Sequence, residues 1–169
     1  MRRLRSEIAR IDRMKSVLRR QEAEAAEARP PASPPEQATI GAARHQLQAA
    51  RGHLDKSRSL LDRRQAAEKG WLALMTAGRA LLKAAGEEDW ARTSRVAERV
   101  TALEERRFKR ARVGSALARY QRTLHGRSFY AGEDELSDAD YIRLAFEDIE
   151  EVIGVADAMR GALAGRVRR

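Results

Sequence analysis

The sequence predicts an all-α fold, an antiparallel up-and-down bundle of four main helices with an additional N-terminal amphipathic helix. No segment alternates apolar and polar residues over six positions, and aromatic residues make up only 5% of the chain, so strands are disfavoured. Apolar residues instead recur at intervals of three and four, as on one face of a helix. All four prolines lie between positions 30 and 35, which leaves the rest of the chain without its strongest helix breaker.

The prolines divide the chain into segments. Residues 1–28 predict a basic amphipathic helix, residues 29–35 a Pro-rich linker, residues 36–165 the bundle and residues 166–169 a basic tail. The N-terminal helix has one narrow apolar stripe, formed by Leu4, Ile8, Ile11 and Leu18. Such a stripe cannot form a core alone, so we expect it to dock on its own domain, on a partner helix or twin, or on an anionic surface.

The first two bundle helices follow the linker. Ser33 to Glu36 has the form of a capping box with Pro34 at the first helical position, so we expect a helix to begin there. We place a tight turn at Leu61 to Gln65, because one unbroken rod to residue 85 would be about 75 Å long. The second helix then ends at Ala85-Gly86. The two apolar seams are Ile40, Ala43, Leu47, Ala50, Leu54, Ser57 and Leu61, and then Ala67, Gly70 or Trp71, Leu74, Gly78, Leu81 and Ala85.

The third and fourth helices complete the bundle. We predict one long third helix from about Thr93 to Leu124, ended by Gly126, and a last helix that begins at the capping-box signal Ser137 to Asp140. Glycines at positions 41, 52, 70 and 78 would let helices approach closely. The seams are Val96, Val100, Leu103, Val113, Leu117, Tyr120 and Leu124, and then Leu144 or Ala145, Ile149, Val152, Ala156, Met159 and Leu163.

Composition excludes several functions. The chain has no cysteine and three histidines, which argues against disulfide scaffolds, zinc fingers and thiol chemistry. It contains no G-x-x-x-x-G-K and no G-x-G phosphate loop, and no histidine stands in a Glu-x-x-His pair of the kind that di-iron bundles use. We therefore expect no metal and no cofactor. The longest uncharged run, Gly70 to Gly78, is far shorter than the ~20 residues of a membrane span, and we expect a cytoplasmic protein.

The formal net charge of +9 is concentrated at the ends of the chain. Residues 1–35 hold nine basic and five acidic side chains, net +4, and the last four residues add three arginines, so residues 36–165 carry only +2. Within that region, residues 106–127 contain eight basic residues and no acid, whereas residues 133–157 contain ten acids and one arginine. We name residues 106–127 the basic strip, and we expect it to pair in part with the acids of the last helix.

Polar chemistry is densest within the basic strip and just after it, from Arg119 to Tyr130. Arg122 and His125 are three apart and share a face on an α-helix. A protonatable imidazole beside guanidinium groups is what metal-free cleavage of a phosphodiester needs, because the imidazole moves protons and arginine stabilises charge on the phosphate. In the alternative interpretation, His125 only caps the end of a helix while Arg119 and Arg122 pair with acids of a neighbouring helix.

Three strings resemble the HEPN superfamily (higher eukaryotes and prokaryotes nucleotide-binding domain), over roughly residues 38–164. They are Gln65-Ala-Ala-Glu-Lys-Gly-Trp-Leu-Ala-Leu, Ala80-Leu-Leu-Lys-Ala-Ala-Gly86 and Leu124-His-Gly-Arg-Ser-Phe-Tyr130. In that superfamily an Arg followed after four to six residues by a His forms the active site of metal-independent RNases, often across a dimer. Arg119 and His125, with five residues between them, match this pattern.

The resemblance implies an RNA-binding homodimer and a metal-independent endoribonuclease. His125 would be the general acid or base, Arg119 and Arg122 would hold the scissile phosphate, and Arg127 and Tyr130 would lie near the substrate. We expect the two copies to meet through the face that carries His125. The alternatives are a non-catalytic interaction module that recruits a protein or nucleic acid through its N-terminal helix, and an RNase toxin held by a cognate antitoxin.

Overall fold

A computed structural model describes residues 38–88, 90–91, 95–109, 111–130 and 137–167. The predicted N-terminal helix and linker lie outside these residues, as do the side chains of residues 130, 166 and 167. The elements are α1 (Ile40–Asp55), α2 (Leu60–Ala84), α3 (Val96–Arg107), α4 (Val113–Tyr120), a π-helix that we call π1 (Gln121–Tyr130), and α5 (Ala139–Val167). The described residues contain no strand, and the predicted all-α fold is confirmed.

Helix α1 begins at Ile40, and the start expected at Pro34 lies outside the described residues. Thr39 has an extended backbone, and its hydroxyl accepts a hydrogen bond of 3.0 Å from the Ala42 amide. A threonine in this position satisfies one of the amides that a helix start leaves unpaired. The predicted seam is buried from Ile40 to Leu54, and the capping-box sequence at Ser33 lies outside the described residues.

The turn between α1 and α2 is at residues 56–59, earlier than the predicted Leu61 to Gln65. Its signal is a true capping box: Ser59 accepts from the Asp62 amide at 3.1 Å, and the Asp62 carboxylate accepts from the Ser59 amide at 3.0 Å. This reciprocal pair starts α2 at Leu60. Leu61 therefore lies in an exposed first turn, 60% accessible, and does not extend the α1 seam.

Helix α2 is the centre of the bundle and contacts every other described helix. From Ala66 to Leu82 nearly every residue is buried. A Cβ on Gly70 would lie 2.1 Å from the Phe146 ring of α5, and one on Gly78 would lie 2.9 Å from Leu117 and Val96. The prediction of close approach is thus right at these two glycines. It is wrong at Gly41, where a Cβ would meet only Oγ1 of Thr39 at 3.9 Å, and at Gly52, where it would meet nothing within 4 Å.

The predicted third helix is divided into three elements. Helix α3 ends at Arg107, and α4 restarts at Val113. The buried carboxylate of Glu104 accepts from the amides of Val113 at 2.7 Å and Gly114 at 3.2 Å. Glu104 therefore caps the start of α4 from a neighbouring helix, and α4 continues into π1, which runs beyond Gly126 to Tyr130.

Helix α5 begins where the sequence indicates, but its cap is Asp138 and not Ser137. One Asp138 carboxylate oxygen accepts from the amides of Asp140 at 2.8 Å and Tyr141 at 3.3 Å. The predicted seam is buried with Ala145 as its first member, whereas Leu144 is 65% exposed. None of the described helices is long and apolar enough to cross a membrane.

The two aspartate caps make folding sensitive to acid. Hydrogen bonds from backbone amides lower the pKa of Asp62 and of Asp138 below the ordinary 3.8. A lowered folded-state pKa gives stability that is fully present above 3.8 and is lost as the pH falls through the lowered values. We therefore expect the urea concentration at the unfolding midpoint to decrease as the pH is lowered below 4. Asp62→Asn keeps a capping oxygen without a charge and should lose less stability than the wild type in acid; parallel losses would contradict this role.

Candidate functional site

The candidate site lies where the first half of α2 meets π1. Glu68 and Trp71 are three apart on α2, so their side chains share one face of that helix. The π-helix brings His125 onto this face. Sequence reasoning identified His125 but not the two α2 residues, although both lie in the Glu68-Lys-Gly-Trp71 string of the superfamily resemblance.

The imidazole of His125 is held on two sides. Its ring stacks on Trp71, with the ring centroids 4.0 Å apart and the planes inclined by 18°. Its Nδ1 lies 2.7 Å from Oε2 of Glu68, and both side chains are largely buried, 17% and 16% accessible. A carboxylate on one ring nitrogen fixes the orientation of the ring and decides which nitrogen is left for other partners. The indole Nε1 of Trp71 is buried without a hydrogen-bond partner in the part of the chain that the structure describes.

Arg119 has a different partner from His125. Its guanidinium forms an ion pair with Asp148 of α5 and donates a 2.9 Å hydrogen bond to the Tyr120 hydroxyl. That hydroxyl donates in turn to Asp148 at 2.8 Å. Burial and the Asp148 carboxylate raise the pKa of Tyr120 well above its ordinary 10, so Tyr120 stays neutral. Arg119 is therefore bound to an acid of α5, as the alternative interpretation expected. His125 is bound to an acid of α2.

The remaining predicted site residues are Arg122, Arg127 and Tyr130. Arg122 is exposed and makes no hydrogen bond or ion pair within the described residues. Arg127 is exposed, and the Tyr130 side chain lies outside the described part. The structure therefore brings His125 together with Glu68 and Trp71, and it leaves Arg122 open to solvent on the same helical segment.

Some cations of the basic strip form ion pairs and others do not. Arg119 pairs with Asp148, and Arg106 pairs with Glu87 at 3.2 Å. The α5 acids Asp157 and Glu150 pair instead with Arg44 and Arg51 of α1, at 3.0 and 2.7 Å. The strip therefore keeps exposed cations that form no ion pair in the described part of the chain: Arg107, Lys109, Arg112 and Arg122.

A second polar cluster fixes the end of π1 to the start of α5. The hydroxyls of Ser128 and Ser137 are 3.0 Å apart, and both residues are fully buried. Arg63 donates to the Ser137 carbonyl at 3.0 Å, and Arg64 donates to the Ser137 hydroxyl at 3.3 Å. These contacts come from three separate elements, so no local spacing in the sequence indicates them. Together they hold π1 in the position that presents His125 to α2.

The described residues contain no group of three or more His, Asp or Glu side chains that could hold a metal ion. Comparison of the chain with protein-family models, curated proteins and solved structures gives no significant match.

Proposed function

We propose that the chain is a HEPN-like RNA-binding protein that cleaves RNA without a metal, with His125 as the group that transfers protons. The observation that carries this proposal is the contact of 2.7 Å between His125 and Glu68, on a ring stacked against Trp71. A carboxylate and an imidazole in this arrangement form the orienting pair that hydrolytic sites on unrelated folds share. The exposed cations of the basic strip supply the attraction for a polyanion.

The reaction that fits this pair is an internal transesterification of RNA. The 2′-oxygen attacks the adjacent phosphorus and loses its proton, while the bond to the 5′-oxygen breaks and that oxygen gains a proton. The products are a 2′,3′-cyclic phosphate and a 5′-hydroxyl. With Nδ1 directed to Glu68, Nε2 is the ring nitrogen that would exchange the proton with RNA. Glu68 would stabilise the imidazolium that forms.

Phosphate binding falls to the arginines near His125. Arg122 is exposed and without an ion pair in the described part, so it can approach the scissile phosphate with little rearrangement. Arg119 would first have to leave Asp148, and we therefore give it a positioning role that secures the end of α4 against α5. Arg127 and Tyr130 remain proposed substrate contacts. Guanidinium groups suit phosphate because they bind it with two parallel hydrogen bonds.

The decisive experiment measures cleavage of mixed single-stranded RNA in EDTA. We expect the wild type to release fragments with 2′,3′-cyclic phosphate ends and His125→Ala to be at least about 100-fold slower, the lower range for loss of a proton-transfer group. Glu68→Gln should give an intermediate rate. His45→Ala, a change at an exposed histidine on α1, is the matched control and should cleave as the wild type does. No cleavage by the wild type, or equal cleavage by His125→Ala, would rule out the enzyme.

A second function is favoured by the Arg119–Asp148 ion pair, which occupies the arginine that the superfamily pattern uses. In this case the bundle is a non-catalytic interaction module, and Glu68, Trp71 and His125 connect helices. RNA binding without cleavage would indicate that this non-catalytic module recruits nucleic acid. Arg112→Glu with Arg122→Glu should then weaken binding and reduce its salt dependence. Absence of RNA binding at low salt would leave recruitment of a protein partner, which we assign to the N-terminal helix.

A further inference from the structure

The turn between α3 and α4 presents three cations to solvent. Arg107, Lys109 and Arg112 are exposed and form no ion pair in the described part of the chain. They are interleaved with Phe108 and Ala111, whose side chains pack against the core. The inward packing of these two residues turns the three cations outward. We call Arg107, Lys109 and Arg112 the turn cations.

The backbone that carries the turn cations is fixed. The Phe108 amide donates to the Glu104 carbonyl at 2.7 Å, and the Ala111 amide donates to the Phe108 carbonyl at 2.8 Å. The Glu104 carboxylate then holds the first amides of α4. Three like charges are therefore kept within residues 107–112, although they repel one another. A bound polyanion would remove that repulsion and would meet a surface that is already ordered.

The carboxylates near the turn cations do not neutralise them. Residues 106–127 contain no acid, and Glu104 is buried beneath the start of α4. Glu87 is bound to Arg99 and Arg106 instead. Glu105 is exposed on the last turn of α3, and a single carboxylate leaves three cations in excess. The turn cations therefore form a positively charged surface that attracts an anion.

Helix α4 connects the turn cations to the candidate site. It continues directly into π1, which carries Arg122 and His125. Between the two ends, Arg119 is bound to Asp148, so its charge is already neutralised. The cations of the basic strip that form no ion pair in the described part therefore fall into two groups, the turn cations at one end of α4 and Arg122 beyond the other end.

We infer that the turn cations form a second phosphate-binding subsite for the RNA strand that His125 cleaves. This inference rests on the proposed function in taking His125 as the point of cleavage. At 1.5 Å per residue, Arg112 lies about 20 Å from His125 along the helix axis. A stacked strand advances about 3.4 Å per phosphate, so a strand of about six nucleotides or more reaches both points. The substrate class is therefore an RNA strand of at least this length.

Binding of a strand that cannot be cleaved tests the subsite separately from catalysis. The probe is a fluorescent RNA dodecamer with every 2′-oxygen methylated, which removes the attacking hydroxyl. In the full-length chain, we expect Lys109→Gln with Arg112→Gln to weaken dodecamer binding roughly tenfold at low salt. The slope of log affinity against log salt should become shallower by about 1.4, the value for two phosphate contacts to a single strand.

Lys56→Gln with Arg58→Gln is the matched control. These residues are a lysine and an arginine in the turn between α1 and α2, exposed and without an ion pair in the described part of the chain. The control removes the same charge and should bind the dodecamer nearly as tightly as the wild type. Circular dichroism melts should show that both variants are folded. Equal losses for the two double variants, or no binding by the wild type at low salt, would overturn the subsite.

Cleavage of unmodified RNA in EDTA separates this inference from the proposed function. We expect the wild-type kcat/KM to rise at least about tenfold from a trimer to a dodecamer, and Lys109→Gln with Arg112→Gln to lose most of that gain through KM. The same gain in both proteins would overturn the subsite and leave the enzyme in place. Dodecamer binding that depends on Lys109 and Arg112, without any cleavage, would refute the enzyme and support the turn cations as an RNA surface alone.

Discussion

Gly114→Ala is expected to lower the free energy of unfolding by about 3 kcal/mol, at the upper end of overpacking costs. The added Cβ would lie 2.2 Å from Oγ1 of Thr101, 2.8 Å from its amide nitrogen and 2.9 Å from its Cα. A side chain can rotate away, but two of these atoms belong to the α3 backbone. The first turn of α4 would have to move off α3, which also stretches the hydrogen bonds from Glu104. Urea titration should show the loss, together with a melting temperature about 10 °C lower.

Gly52→Ala is the matched control for this prediction. Gly52 lies inside α1, and a Cβ there would meet nothing within 4 Å. Alanine should therefore stabilise the protein by about 0.5–1 kcal/mol, since it removes the entropic cost of a helical glycine. If both substitutions destabilise the chain to the same degree, the close contact between α3 and α4 is not the cause.

The second large effect is expected at Glu104, which is only 6% exposed. Glu104→Ala removes the acceptor for two amides, those of Val113 and Gly114. An unsatisfied buried donor costs about 1–3 kcal/mol, so we expect a loss of about 2–5 kcal/mol. Glu104→Gln keeps one acceptor oxygen and should lose roughly half as much in urea titration. An alanine variant as stable as the wild type would show that the two amides find other acceptors.

The loss of unfolding free energy caused by Glu104→Gln should also depend on pH. Burial raises the pKa of Glu104 above its ordinary 4.5, against the opposing effect of the two amides. A raised folded-state pKa means that the folded protein binds the proton more tightly, so the stability this carboxyl contributes falls as the pH rises from 4.5. The deficit of Glu104→Gln should therefore shrink between pH 4.5 and neutrality. A constant deficit would indicate that the carboxyl has the same pKa in both states.

The α-helical periodicity predicted the buried faces of α1, α2 and α5 because each is decided by local spacing. The break between α3 and α4 was missed for a different reason. No proline or local turn sequence marks residues 108–112, and the cap of α4 comes from Glu104 on another helix. The available signal was Glu104 itself, a polar residue beside the apolar position Leu103 of α3, but spacing alone does not say which amides such a residue caps.

The sequence predicted one residue of the candidate site and missed its two partners. The chemistry of an imidazole near neutral pH singled out His125, and the rarity of histidine made it conspicuous. The partnership of His125 with Arg119 came from the superfamily pattern, whereas in the structure π1 begins between the two residues and alters their angular spacing. Glu68 and Trp71 could not be assigned from spacing alone, because they meet His125 only after α2 and π1 have packed.

The stacking of His125 on Trp71 has a spectroscopic consequence. The chain has two tryptophans, and they lie in different environments: Trp71 shares a face with an imidazole, whereas the Trp90 ring lies under the Lys83 ammonium, 4.8 Å from its centroid. Indole emission is sensitive to a group in contact with the ring, and for Trp71 that group is the imidazole of His125. The fluorescence of Trp71 is therefore an intrinsic optical signal of whether His125 stays packed on α2, available without a label and in the absence of any substrate.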